Sequence, residues 1–274
     1  MKLLEFKQEL IQKILLAKAI AIYTFQEETA HWANAWAHVL STFFYMFSMV
    51  LFIGAVYSNV DLIAGYTKNE MLLFLLIAQT TYYISWVVYG NLTDLVDNVN
   101  NGNLDLILVK PISSLFYVTF RKLRVFRVVM DGVPPIIFLV LAINWNILDI
   151  SLIPLLSGVV LSILGVVCSL SFHFLAALPV FWVGEARNII EFSAHSEYNI
   201  GKIIPLEAFR KDFKFLFSTI FPFLISTGFS TSVILGKSQV VPILLWGLAV
   251  TIIILFIRQV AWNKALKVYT SASS

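Results

Sequence analysis

The sequence predicts an all-α integral membrane protein with six transmembrane helices, an N-terminal amphipathic interface helix and both termini cytoplasmic. Three observations predict it. Apolar residues make up 59% of the chain and charged ones 13%, with a mean hydropathy of +0.85; soluble domains sit nearer half apolar and a quarter charged. Several stretches are long enough to cross a bilayer, which takes about 20 apolar residues, and carry almost no formal charge. The Lys and Arg residues are sorted onto alternate connecting segments. Two units follow: residues 1–25 as the interface helix, and 26–274 as the six-span membrane domain with a cytoplasmic loop at 91–127.

Residues 2–25 place Leu3, Leu10, Ile14, Ala17 and Ala21 at helical spacing, with Lys2, Glu9 and Lys13 opposite. That pattern suits a helix lying in the interface. Lys2, Glu5, Lys7 and Glu9 interrupt the continuous apolar core that a signal peptide needs. Residues 29–60 contain no Asp, Glu, Lys or Arg, which places the first span at 38–57. Trp32 and Trp36 sit before it as an aromatic belt. Glu27, His31, Asn34 and His38 share a helical face, read as a polar stripe rather than a metal site.

The second span runs from Met71 to Tyr89, its helical pattern continuing towards Asp94 and Asp97. The stretch 91–127 then combines a turn at Asn100, Asn101 and Gly102, an amphipathic piece at 103–109, a Lys110-Pro111 break and a basic cluster of Arg121, Lys122, Arg124 and Arg127. The third span, 125–143, holds Pro134-Pro135, which the spacing reads as a kink. Its Asp131 is one helical turn from Arg127, close enough to pair. Residues 150–184 carry no formal charge and form the fourth span, with small residues at Gly158, Ser162, Gly165 and Ser169. Such a stripe lets helices approach closely in lipid; its partner is another helix of this chain or a second subunit. His173 follows one turn later. Polarity places 185–214 in a cytoplasmic loop, a fifth span at 215–235 bent at Pro222 and Gly228, and a sixth at 240–257.

With six spans and the N-terminus inside, four Lys/Arg precede the first span, five lie in 91–127, five in 185–214 and three in the tail, 17 of the 19. Only Lys68 and Lys237 fall outside, as the positive-inside rule requires.

Soluble enzyme chemistry finds no home here. Gly236-Lys237-Ser238 ends like a phosphate-binding loop, but Thr231 stands where the earlier glycine belongs. HExxH and G-x-S-x-G motifs are absent from the sequence. The lone Cys168 lies in an apolar run and reads as a packing residue. The chain is expected to be non-catalytic, and nothing in it suggests nucleic acid as a partner.

The motifs carry a resemblance. Gly102-Asn103-Leu104-Asp105, Leu108 and Lys110-Pro111-Ile112 resemble a G-x-L-D-x-x-L-x-[KR]-P-[IL] loop. Phe181-Trp182 is similar to a Phe-Trp ending after the fourth span. Trp262, Ala265-Leu266-Lys267 and Tyr269-Thr270-Ser271-Ala272-Ser273 resemble a closing W-x-x-[AG]-L-[KR]-x-Y-[ST]-S-A-[GS]. These belong to the permease subunits of ATP-binding-cassette type-2 exporters, in the branch whose ATPase is a separate chain. One departure is Ile204-Pro205, where that family has Tyr-Pro. The resemblance implies a prokaryotic plasma-membrane permease, in a homo- or heterodimer, working with two copies of an ABC ATPase. ATP and magnesium would bind the ATPase, leaving this chain without a cofactor. Gly102, Leu104, Asp105, Leu108, Lys110 and Pro111 would form the ATPase-coupling loop. The alternative is a secondary transporter or channel without an ATPase; it is disfavoured because no internal repeat joins the two halves of the sequence.

Overall fold

The structure, a computed structural model, describes residues 2–29, 32–201 and 204–270, with the backbone alone described at 2–10, 32–35, 211 and 212. Apart from a two-residue bridge between Ile63 and Tyr66, the described residues are helical or in connecting turns. Helix α1 (Lys2–Thr29) precedes α2 (Trp32–Val56). Helix α3 (Lys68–Trp86) opens on a capping box: Thr67 N–H donates to Glu70 Oε2 at 2.7 Å, and the Thr67 hydroxyl accepts from Glu70 N–H. A tight turn joins it to α4 (Gly90–Asn100), so the rod extends well past one bilayer thickness, as the pattern through Asp97 predicts. The short α5 (Leu104–Leu108) and α6 (Ser114–Phe120) follow. Helix α7 (Val125–Ala142) runs through Pro134 and Pro135 without interruption. Helix α8 (Leu152–Ala177) and the single turn α9 (Val180–Val183) end at Gly184, whose positive φ stops the helix.

Among the described residues five helices are long and apolar enough to cross a membrane: Trp36–Val56, Lys68–Asn100, Val125–Ala142, Leu152–Val183 and Val240–Val268. Leu51 and Phe52 on α2, Ile153 and Ile163 on α8, and Ile252 and Phe256 on the last helix point their side chains outward. An uncharged apolar exterior of this extent is what lipid, not water, tolerates.

The segment between α9 and the last helix corrects the sequence reading. Residues 215–235 are not one span. Helix α10 (Arg187–Ser196) and a π-helical turn (Glu197–Gly201) instead climb along α8. Beyond them Glu207 accepts a hydrogen bond from Tyr66 Oη at 2.6 Å, and Tyr66 lies in the loop between α2 and α3. The chain has therefore traversed the bundle before residue 207. Helix α11 (Lys211–Ile220), a π turn (Ile225–Phe229) and α12 (Ser230–Ile234) then form a hairpin entering from the Tyr66 end. Pro222, which lacks an N–H, sits at its bottom, where tight turns close on Pro222 and Phe223 carbonyls. Helix α13 (Val240–Val268) returns to the α5 end. Hydropathy misses this because α10 and the turn after it bury Ser193 and Glu197 against His173 of α8 instead of showing an apolar face to lipid.

Arg210, Lys211 and Lys214 consequently belong to the Tyr66 end; Lys214 Nζ lies 3.8 Å from Glu207. At that end Lys237 also ties its turn to Glu70 at 2.9 Å and to the Gly65 carbonyl at 2.8 Å. The charge bias between the two ends is thus weaker than the sequence suggested but keeps its sign. Native Cys168 is buried, so introduced cysteines can be read alone. A membrane-impermeant thiol reagent is expected to label Arg210→Cys and Ser238→Cys from one side and Asn101→Cys only from the other. Labelling of Arg210→Cys together with Asn101→Cys would restore the loop reading of 185–214.

Candidate functional site

Three motifs far apart in sequence meet at the α5 end. Leu104 is 0% exposed and, with Ile107, packs among Leu92, Leu95, Leu115, Phe174, Phe181, Trp262 and Ala265. Trp262 meets Phe174 and Phe181 edge-on at 5.6 and 5.7 Å, and its indole N–H donates to Ser114 Oγ at 3.3 Å. Tyr269 closes on Phe181 at 6.0 Å, where burial and the neighbouring Asp105 carboxylate push its phenol up. The remainder of the closing motif, Ser271 to Ser273, lies outside the described residues.

The element held by this cluster is a knuckle. Gly102, at φ +72°, makes the left-handed turn between α4 and α5. Pro111 prevents α5 from running on into α6, and the Ser113 hydroxyl caps α6 by accepting from Phe116 N–H at 3.4 Å. Asn91 fixes the return path by donating to the Thr119 and Lys122 carbonyls, each at 2.8 Å, while Arg121 and Lys122 reach Asp94 at 2.8 and 2.9 Å. On the other flank Asn100 donates to the Gly184 carbonyl at 2.9 Å, and Arg187 bridges Asp97 and Glu185. The Arg187 backbone N–H and the guanidinium hold the Glu185 carboxyl below its usual range.

The knuckle turns its apolar side chains in two directions. Leu104 faces inward. Leu106 is 66% exposed and Val109 80%, with Leu108 at the edge between them. Lys110 folds over Tyr117, 4.4 Å from its ring and 3.0 Å from its hydroxyl. Pro111, Ile112 and Phe116 form one wall of a crevice of about 310 Å³ whose other wall is Gln12, Lys13 and Leu16 of α1. Helix α1 is further tied down by Thr24, whose hydroxyl donates to the Leu123 carbonyl at 2.7 Å, and by Glu28, which accepts from Arg127 N–H at 3.2 Å.

Deeper in the bundle lies a cavity of about 320 Å³ walled by Thr42, Tyr45, Tyr82, Tyr83, Trp86, Arg124, Arg127, Asp131 and Tyr198, among others. Asp131 is buried and accepts from Arg127 Nε at 3.4 Å, the one-turn pairing read from the sequence. Its other oxygen is buried without a partner. The aromatic wall escaped sequence reasoning because its members come from α2, α3 and the 197–201 turn, which no local pattern joins.

The small-residue stripe is occupied by this chain itself. A methyl on Gly158 would run into Ile234, and one on Gly165 into the Ser226 backbone. The Ser162 hydroxyl meets Ser230 Oγ at 2.8 Å, and Ser169 donates to Glu197 at 2.7 Å. The stripe seats the 225–234 hairpin arm and α10 within this chain. His173, without an assignment from sequence, pairs with Glu197 at 2.6 Å. Glu197 falls in the 185–214 loop of the sequence analysis; the run Ile190, Ser193, Ala194, Glu197, all buried at helical spacing, is the signal that marks it as inward. No cluster of three metal-binding side chains occurs among the described residues; the His31 part of the 27–38 stripe lies outside them.

No curated protein and no solved structure matches the chain. The sequence profile of the family described as ABC-2 family transporter protein matches residues 43–273, which takes in the knuckle, the Phe-Trp turn and the closing motif. The chain belongs to the ABC-2 family, as a multi-pass membrane permease of an ABC transporter.

Proposed function

We propose that this permease is the membrane subunit of an ATP-driven exporter, pairing with an identical or related permease and taking its power from two copies of a separate ATPase chain. The observation that carries the reading is the knuckle: a five-residue helix that buries Leu104 and Ile107 yet holds Leu106 and Val109 in water. Exposed apolar side chains on a braced tip are what a protein partner covers. Bracing matters, because a tip that frays transmits no force. Gly102, Leu104, Asp105, Leu108, Lys110 and Pro111 then divide by task. Gly102 and Pro111 bound the knuckle, Leu104 and Asp105 anchor it, and Leu108 with Leu106 and Val109 makes the contact.

The α5 end is the cytoplasmic end in this reading, and six crossings with both termini inside follow from it. Helix α1 exposes Ile11, Ile14, Leu15 and Ile22 and lies in the membrane interface as a second element that moves with the ATPase. ATP and magnesium are held by that partner, and the chemistry of hydrolysis is its own. The aromatic cavity beside α7 is the place where cargo meets this subunit.

The test is affinity isolation of the full chain from gently solubilised native membranes. A nucleotide-hydrolysing subunit in equal amount, with two permease chains per complex, is expected. A permease that never brings down such a companion, in membranes whose transport survives removal of ATP, would end this reading in favour of a secondary transporter.

A further inference from the structure

Arg258 is rooted in the seam between α13 and α8. Cys168 and Thr251 fix the register of that seam, Sγ and Oγ1 lying 3.2 Å apart. Two helical turns further on, roughly 10 Å along the axes, the Arg258 guanidinium lies over the Phe174 ring at 6.0 Å. Phe174 is fully buried and Arg258 half-buried. An arginine stays charged in any protein setting and carries five N–H donors but no acceptor. Here its Nε–H is buried without a partner, and no carboxylate of the described residues acts on its charge. The acid buried against α8, Glu197, already accepts from Ser169 at 2.7 Å. A guanidinium in an apolar seam with no anion from its own chain is costly.

The height of the side chain identifies the anion. Ile252, Ile253, Phe256 and Ile257 of the same helix are exposed and face lipid. The exposed polar run Asn263, Lys264 and Lys267 begins five residues beyond Arg258, about 7.5 Å along the axis. Gln259, also exposed, turns towards that run and donates its amide N–H to Asn263 Oδ1 at 3.1 Å. Arg258 therefore stands where acyl chains give way to headgroups, and a long arginine stem reaches that boundary from a buried root. The acceptor that the leaflet itself supplies there is the headgroup phosphate, whose oxygens match the guanidinium fork two at a time.

We propose that Arg258 binds the phosphate of an anionic phospholipid in the leaflet at the α5 end, with the Phe174 ring as the apolar floor beneath its guanidinium. The headgroup neutralises a charge that the protein leaves unpaired, and so holds α13 against α8. One turn further along α13, Trp262 packs on the same Phe174 ring and donates to Ser114 of α6. A lipid seated at Arg258 therefore stiffens the wall behind the knuckle. The site is independent of any ATPase.

The test uses the purified full chain in maltoside micelles, which carry no phosphate, read by thermal melting and native mass spectrometry. Phosphatidylglycerol and inorganic phosphate are added separately. The wild type should melt higher with phosphatidylglycerol and retain it about tenfold better than Arg258→Met does, the loss expected for one charged hydrogen-bonded pair. Without lipid, Arg258→Met should melt at or above the wild type, because the unpaired charge is gone. An arginine that only packs on Phe174 gives the opposite: a variant melting below the wild type with and without lipid, and equal retention. Arg258→Lys keeps the charge but loses the fork, and should retain less than the wild type. Lys267→Gln, at the exposed end of α13, should retain as much; an equal loss there would mean diffuse attraction and overturn the site. Stabilisation by inorganic phosphate equal to that by phosphatidylglycerol overturns the lipid assignment. No effect of phosphatidylglycerol on the wild type, with loss of paired permeases in Arg258→Met, puts an acid of a second permease there and overturns the proposal. If Arg258→Met does not fold, Arg258→Lys decides: retention equal to the wild type contradicts the proposal.

Discussion

Replacing Leu106 and Val109 together with Asp is expected to give a permease that inserts and melts like the wild type but retains no ATPase subunit on isolation. Leu104→Asp should instead lose the folded knuckle altogether. The two outcomes separate because neighbouring residues of one short helix face opposite ways. Leu106 and Val109 already stand in water, where an added carboxylate costs little, while a partner's apolar surface would have to desolvate it. Leu104 is enclosed by Leu92, Leu115, Phe181 and Trp262. Deleting a buried leucine costs about 2–5 kcal/mol, and a buried unpaired charge adds several more. The measurements are thermal melting and the ratio of ATPase to permease in the eluate. Loss of stability in the Leu106/Val109 variant, or full retention of the ATPase by it, would be contrary to the assignment of faces.

The second large effect is expected at Gly165. A Cβ there meets the backbone N and Cα of Ser226 as well as its side chain, and backbone cannot swing aside as a side-chain tip can. Gly165→Leu should therefore unseat the 225–234 arm of the hairpin and lower stability by about 3 kcal/mol, the upper part of the usual overpacking cost. Gly54→Ala is the control: its added methyl would lie 3.8 Å from Lys68 Nζ, an ordinary contact. Inside α2 that change should be neutral or stabilising by up to about 1 kcal/mol. Equal melting of the two variants would mean that the hairpin is not held by the stripe.

Much of this was legible in the residues. Charge-free runs mark α2, α7, α8 and α13 because lipid-facing helices expose apolar side chains on most sides. The rod from α3 into α4 was visible in its periodicity, and the Arg127–Asp131 pairing in its one-turn spacing. Two things were not. The path through α10 and the turn after it keeps Ser193 and Glu197 inward against His173, so hydropathy counts it as a loop. The inward face of Leu104 depends on where α6, α9 and α13 close around it, and a motif of five residues carries no information about neighbours as distant in sequence as Phe181 and Trp262. The knuckle was found from its turn and proline, but which leucine touches a partner had to come from packing.

The central claim is that the tip of α5 is where the ATPase sits. The direct measurement is photocrosslinking in native membranes from a photoreactive side chain at Val109, with a second at Leu141, exposed on α7, as the lipid-facing control. The account predicts a covalent adduct between position 109 and a nucleotide-hydrolysing chain, and none from position 141. An adduct at 109 with lipid alone, or ATPase adducts equally from both positions, would contradict it.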